Sequence, residues 1–166
     1  PLACRIAIFL LLRAARGYFQ LKLKKVLVVH KKSTYQIQAE EHKESRFLKL
    51  IAEGNEVVNR VRVAHEEHVD TLARVEDELS NRGIAYQSLS RSQVAETVED
   101  VDLLISVGGD GTFLDASHAL KDVPALGVNS SRSSSFGHFC MANRENFSSI
   151  LDQIETEMVS PFSILR

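Results

Sequence analysis

Hydrophobic positions along this chain come as short continuous runs that alternate with longer, interrupted stripes. Lys25-Val26-Leu27-Val28-Val29-His30 and Asp102-Leu103-Leu104-Ile105-Ser106-Val107 are apolar almost without a break and rich in β-branched residues, the pattern of strands buried on both faces of a parallel sheet. Ile84 to Leu89 alternates as a strand does, and Pro124 to Val128 reads as a further short one. Between the runs lie helical patterns. Glu40 to Glu53 is helix-compatible and stops at Gly54-Asn55. Val57 to Arg82 carries Val58, Val61, Leu72, Val75 and Leu79 at helical spacing, with Gly83 as terminator. Val94 to Glu99 reads as a short helical turn, Thr112 to Leu120 as a helix, and Glu145 to Met158 as an amphipathic helix with Phe147, Ile150, Leu151 and Ile154 on one side. Ser130 to Ser135 is a loop, and no internal repeat is present. Strand and helix in alternation predict an α/β fold, a mainly parallel sheet covered by helices on both faces.

Composition adds bounds to this picture. The chain has 166 residues, 44% hydrophobic and 25% charged, enough for one domain with a real core. A formal net charge of −2 supplies no basic field for nucleic acid and no acidic excess of the disordered kind. Two cysteines, Cys4 and Cys140, give no disulfide framework and no CxxC pair, which fits a reducing compartment, and Cys140 reads as a small buried residue. The apolar run Ile6 to Leu12 is seven residues long, against the roughly 20 needed to span a membrane. No acidic residue precedes Glu40, while Arg5, Arg13, Arg16, Lys22, Lys24 and Lys25 are basic. Residues 1–24 therefore read as a leader, a mitochondrial transit peptide or a secretory n-region with a short h-region, or as an unrelated extension, ahead of a domain at residues 25–158. The expected location is cytoplasmic, with mitochondrial as the alternative.

The candidate chemistry lies where the second buried strand ends, at Gly108-Gly109-Asp110-Gly111-Thr112. Ligands of open α/β sheets bind beyond the carboxyl ends of strands, where helix N-termini offer free N–H groups to phosphate. Three glycines free the backbone there and leave no side chain between it and a polyphosphate. A carboxylate inside such a cradle repels phosphate, so Asp110 needs another reason, and proton acceptance from an attacking hydroxyl or Mg²⁺ binding supplies one. The competing reading is a plain tight turn. Against it stand the buried strand before the motif, the helix after it, and a second Gly-Val-Asn-Ser loop after the next strand. Neither GxGxxG nor GxxxxGK[ST] is present.

Gly108 to Thr112, followed by Phe113-Leu114, Gly127-Val128-Asn129 and Gly137, resembles the NAD kinase family from Lys25 to Arg166. Ser117-His118 and Gly137-His138-Phe139-Cys140 most resemble its NADH kinase and organellar branch. The resemblance implies a Rossmann-like N-terminal domain of a two-domain fold, with Pro161 to Arg166 as the entry to an all-β domain outside this sequence. It implies phosphorylation of the 2′-hydroxyl of the adenosine ribose of NAD or NADH by ATP, with Mg²⁺ carried by the nucleotide and no metal held by side chains of this chain. By the same resemblance Asp110 is the general base, Gly108, Gly109, Gly111 and Thr112 line the phosphates, and Asn129, Gly137 and His138 contact nucleotide. It further implies homo-oligomers and inactivity of this stretch alone. His138 stands where the family usually has a stacking Phe. The Gly-Gly-Asp-Gly signature is shared with diacylglycerol-type lipid kinases, so a lipid kinase and a non-catalytic nucleotide-binding domain are the alternatives.

Other polar clusters carry weaker signals. His65-Glu66-Glu67-His68 suggests a metal site, but its histidines are three apart rather than the four of HExxH. The surrounding His42, Glu44, Glu66 and Glu67 read more simply as a solvated face. Arg132 could reach a phosphate or only solvent, and His118 could face nucleotide or the surface.

Overall fold

The computed structural model describes residues 7–10, 21–94, 97–120, 123–156 and 160–162. Cys4, the basic residues Arg5, Arg13 and Arg16, and everything after Phe162 lie outside the described residues. Seven strands form one sheet: β1 (Ala7–Leu10), β2 (Lys25–His30), β3 (Ala85–Ser90), β4 (Leu103–Gly108), β5 (Pro124–Asn129), β6 (Cys140–Asn143) and β7 (Ser160–Phe162). Five of them run parallel in the order β3-β2-β4-β5-β6. β1 pairs antiparallel with the start of β5 on the edge whose far half pairs with β6, and β7 lies parallel to β1. The sheet is therefore mainly parallel, as expected.

Among the described residues α2 (Glu56–Asn81), α3 (Asp110–His118) and α4 (Phe147–Thr156) cover it, while α1 (Ser45–Ala52) packs on α2. The side-chain alternation of the strands sorts the core into two layers. Val26, Val28, Leu103, Ile105, Val107, Leu126 and Val128 face α2 and α4, where they bury Val75, Leu79, Phe147, Leu151 and Ile154. Leu27, Val29, Leu104 and Ala125 face the other way, onto Phe113 and Ala116 of α3 and onto Leu120. Arg82, at the end of α2, joins the two helices of the first layer through Glu78 at 2.8 Å, Asp152 at 2.7 Å and the carbonyl of Ser148 at 3.0 Å.

Several boundaries differ from the sequence reading. The helix expected over Glu40 to Glu53 is two pieces, a π-helical turn at Gln36–Glu41 and then α1. They are separated by Lys43, whose positive φ of 49° no helix can hold. Glu44 then restarts the helix by accepting the N–H of Phe47 at 2.7 Å. Gly54 closes α1 at φ 68°, and Asn55 opens α2 by accepting the N–H groups of Val57 and Val58 at 3.0 and 3.4 Å. The helical turn expected over Val94 to Glu99 is not formed by the described residues there: a 3₁₀ turn occupies Arg91–Gln93, and Val98 makes a bridge to Leu120. Three strands, β1, β6 and β7, go beyond the sequence reading, the first inside the stretch read as a leader.

Candidate functional site

In the order β3-β2-β4-β5-β6 the chain moves one way from β2 to β3 and the other way from β4 onward, so the topological switch point lies between β2 and β4. Crevices that hold ligands in such sheets open at the carboxyl ends of these two strands. His30-Lys31 and Gly108-Gly109-Asp110 meet there, tied by the Lys31 N–H to the Val107 carbonyl at 3.4 Å, while the Ser130 N–H reaches the Gly108 carbonyl at 2.9 Å from the end of β5. The motif singled out from sequence thus sits where this topology puts a ligand.

Asp110 is the first residue of α3, with Gly109 as its N-cap. Its carboxylate accepts two backbone N–H groups from the far loop, His138 at 3.0 Å on Oδ2 and Phe139 at 2.8 Å on Oδ1. A carboxylate has about four lone-pair sites, so each oxygen keeps an open direction while its plane is fixed. Beside it the three glycines do three different things. A Cβ on Gly108 would stand 2.3 Å from Thr112 Oγ1 and 2.6 Å from Thr112 Cβ, so this glycine is demanded by the close packing of helix on strand. A Cβ on Gly109 would come within 3.0 Å of Ser135 Oγ. A Cβ on Gly111 would meet nothing within 4 Å, and its φ is not positive. Unusual backbone angles, expected for Gly108 and Gly109, are absent as well: Gly109 is extended at φ −116°, and the positive-φ glycines among the described residues are Gly54, Gly83 and Gly137. The glycines of the motif act through missing volume.

Other residues singled out from sequence fall in distinct roles. Thr112 is buried against Gly108, with its N–H on the Gly109 carbonyl at 3.0 Å, so its hydroxyl faces the protein. Asn129 is buried at the end of β5. Its Oδ1 accepts the Ser131 N–H at 3.1 Å and its Nδ2 donates to the Ser135 carbonyl at 2.8 Å. Gly137 must be glycine twice over, for its φ of 64° and because a Cβ would lie 2.7 Å from Asn129 Nδ2. His138 presents its N–H to Asp110 and is itself exposed, while the ring of the next residue, Phe139, stacks on Phe113 at 6.0 Å. Phe136, two residues before His138, is 96% exposed. His118 is exposed too, and Arg132 pairs with Glu145 at 2.8 Å.

Cys140 is half-buried and lies close to Asp110. Burial first, and the Asp110 charge second, push its thiol up to about 12, which keeps it protonated and inert.

Of the solvated face expected around His65-Glu66-Glu67-His68, His42, Glu44 and Glu66 are exposed, while Glu67 is half-buried. Among the described residues no three metal-capable side chains cluster, and Glu66 stays at the surface, paired with Arg62 at 2.7 Å. His65 stacks on Tyr35 at 5.1 Å and bonds Ser33 Oγ at 2.7 Å. His68 is buried, with Nε2 on the Lys31 carbonyl at 3.0 Å. Glu67 accepts the hydroxyls of Ser131 and Ser133 at 2.6 and 2.8 Å.

Sequence reasoning missed Lys31, Glu67 and Ser135. Lys31 is half-buried at the switch point, makes no ion pair with a described carboxylate, and has its pKa lowered by burial. For Glu67 a signal existed. On α2 the buried stripe is Val58, His68, Thr71, Val75 and Leu79, so its middle is polar at positions that spacing alone assigns to the core. Polar groups on a buried stripe near strand carboxyl ends mark a wall facing a loop or ligand.

Residues 2–159 match the family model described as ATP-NAD kinase N-terminal domain. The chain is 36% identical to an NADH kinase of Arabidopsis thaliana over 115 residues, 60% of this chain and 36% of that protein. It is 39% identical to a probable NADH kinase of Oryza sativa subsp. japonica over 101 residues, 51% of this chain and 31% of that protein. With the mitochondrial NAD kinase 2 of Homo sapiens the identity is 30% over 128 residues, 72% of this chain and 29% of that protein. The chain spans about a third of the length of these relatives. With a family model matching almost its whole length at the domain that bears this glycine-aspartate site, the chain belongs to the ATP-NAD kinase family.

Proposed function

We propose that this domain forms the phosphate-handling wall of a kinase that transfers the γ-phosphoryl group of ATP to the 2′-hydroxyl of the adenosine ribose of NAD or NADH. The observation that carries the reading is the Asp110 carboxylate, fixed by two backbone N–H groups at the switch point beside a glycine, Gly111, whose missing side chain serves no contact within the chain.

In this reading Asp110 takes the proton of the 2′-hydroxyl as its oxygen attacks the γ-phosphorus. The bond from that phosphorus to the β–γ bridging oxygen breaks, and ADP leaves with the electron pair. Phosphoryl transfer of this kind asks for alignment and charge neutralisation more than covalent chemistry. Gly109 and Gly111 let the phosphates approach the first turn of α3, where the N–H groups of Asp110 and Gly111 have no intrahelical partner. In this scheme Lys31, half-buried just after β2, supplies a cation to the phosphates. Thr112, Asn129 and Gly137 shape the site from behind, and the His138 ring faces the nucleotide. Magnesium would enter this scheme with the nucleotide, held chiefly by its phosphates.

The relatives named above are NAD or NADH kinases, so the diacylglycerol-type alternative is not favoured. Of the two compartments expected, the mitochondrial one is shared with a named relative, and we propose it.

The test is made on the complete polypeptide that carries this domain. Asp110→Asn should lower kcat for NAD phosphorylation by roughly 10²–10⁴-fold with little change in KM, the share a general base contributes. A variant that keeps full activity rules out Asp110 as the base. A wild-type protein that phosphorylates diacylglycerol and neither NAD nor NADH overturns the substrate class.

A further inference from the structure

We infer that Glu67, on the long helix α2, is a positioning residue for Asp110 and acts on it through the serine loop at residues 130–137. The inference rests on the reading of Asp110 given above.

The connection is a continuous series of contacts. Both Ser131 Oγ and Ser133 Oγ donate to the same oxygen of Glu67, at 2.6 and 2.8 Å. One turn further along α2, the Thr71 hydroxyl, which donates to the Glu67 carbonyl at 2.7 Å, comes within 3.3 Å of the Ser130 carbonyl. Asn129 grips the loop from inside, at the Ser131 N–H and at the Ser135 carbonyl. Ser135 in turn lies against Gly109, two residues before Gly137 reverses the chain at φ 64°. The next two N–H groups, of His138 and Phe139, are the pair that fixes the Asp110 carboxylate. One end of the loop is therefore held by α2 and the other end holds the base.

Between Ser131 and Gly137 the loop has no apolar anchor. Arg132, Ser133, Ser134 and Phe136 are all exposed. Segments without buried apolar contacts sit at the low-stability end of a structure, and their geometry depends on hydrogen bonds. Those made to a charged acceptor are the strong ones. Burial pushes the Glu67 carboxyl up, but the hydroxyls of Ser131 and Ser133, with Arg144 beyond them, outweigh it and hold it below the usual range. Glu67 thus stays an acceptor wherever the enzyme works. It lies far from Asp110 in sequence and makes no contact with it, which is why its effect must travel through the loop.

The experiment compares Glu67→Ala, Glu67→Gln and Ser131→Ala/Ser133→Ala. Glutamine keeps one oxygen in place to accept both hydroxyls and alanine does not. In this chain, hydrogen exchange of the His138 and Phe139 amides should rise about tenfold or more in Glu67→Ala and in the double serine variant, while amides of β4 keep their protection. Glu67→Gln should restore protection to near wild type. In the complete kinase, Glu67→Ala should lower kcat about tenfold with KM for ATP little changed, as expected when a base is displaced while the groups that bind ATP stay in place. Adding the serine substitutions should then cost nothing further. The inference is overturned if the two amides stay protected in Glu67→Ala, or if β4 loosens in parallel, which would make Glu67 a general stabiliser. A wild-type enzyme inactive on NAD and NADH sinks the proposed function, yet the amide measurements still decide the positioning role.

Discussion

At the scale of single residues, the glycine-aspartate motif divides into parts that the fold requires and a part that it does not. Gly108 accepts the Thr112 side chain at a distance no Cβ tolerates, and the offending atoms include Thr112 Cβ, which is fixed to the helix backbone. Gly108→Ala should therefore cost about 1–3 kcal/mol as the start of α3 is pushed off the sheet. Gly111→Ala meets nothing and sits inside a helix, where alanine is favoured over glycine by about 0.5–1 kcal/mol. It should leave stability unchanged or raise it, and still weaken ATP binding, because the new methyl occupies the approach to the first turn. Urea unfolding and nucleotide titration on the same two variants separate these effects. If Gly111→Ala binds ATP as well as wild type, the phosphates do not pass there. Asp110 and the glycines are legible from residue type and position alone. Their division of labour is not, because whether a missing Cβ serves packing or a ligand depends on neighbours distant in sequence, Ser135 above all.

At the scale of elements, the strands are legible because burial on both faces leaves continuous apolar runs, and α2 because its stripe repeats over many turns. What escapes are elements whose cause is tertiary. β6 is four residues with only Ala142 buried, and it exists because β5 offers it an edge. β1 shares that edge. The split between the π-helical turn and α1 turns on the backbone of a lysine, Lys43, which carries no turn signal. At Gly54-Asn55 the signal is present and serves twice. By sequence the pair marks the end of one helix, and in the structure Asn55 also begins the next, as the N-cap of a helix 26 residues long. Asn55→Ala should cost about 1 kcal/mol, and Asn55→Asp should cost little. A shift in the urea midpoint of the alanine variant with unchanged m-value would show that stability alone has changed, as removal of a cap requires.

At the scale of the whole molecule, one buried group ties stability to pH between about 4 and 6.5. His68 is 3% exposed, beneath the carboxyl end of β2, and its pKa is lowered to about 4 by burial first and by the Lys31 charge next. Geometry gives the same answer. With its Nε2 proton on the Lys31 carbonyl, the buried Nδ1 has no partner, so a second proton there would find no acceptor. The unfolded chain binds that proton near pH 6.5 and the folded chain only near 4. Above pH 6.5 both states are neutral at this site and stability is whole. As pH falls through the window between, the unfolded state gains protons that the folded state refuses, and stability drops by about 3 kcal/mol before levelling off below 4. Glu67 contributes in the same direction, but only once pH falls into the carboxylate range. Lys31, with its pKa lowered, acts on the alkaline side, where stability rises as the unfolded lysine loses its advantage. His68→Gln keeps a donor for the Lys31 carbonyl and removes the titration. Urea midpoints of the two proteins should therefore run together above pH 7 up to a constant offset and converge or cross toward pH 4.5, with the wild type falling more steeply. Parallel curves would mean that His68 does not carry the acid sensitivity of the fold.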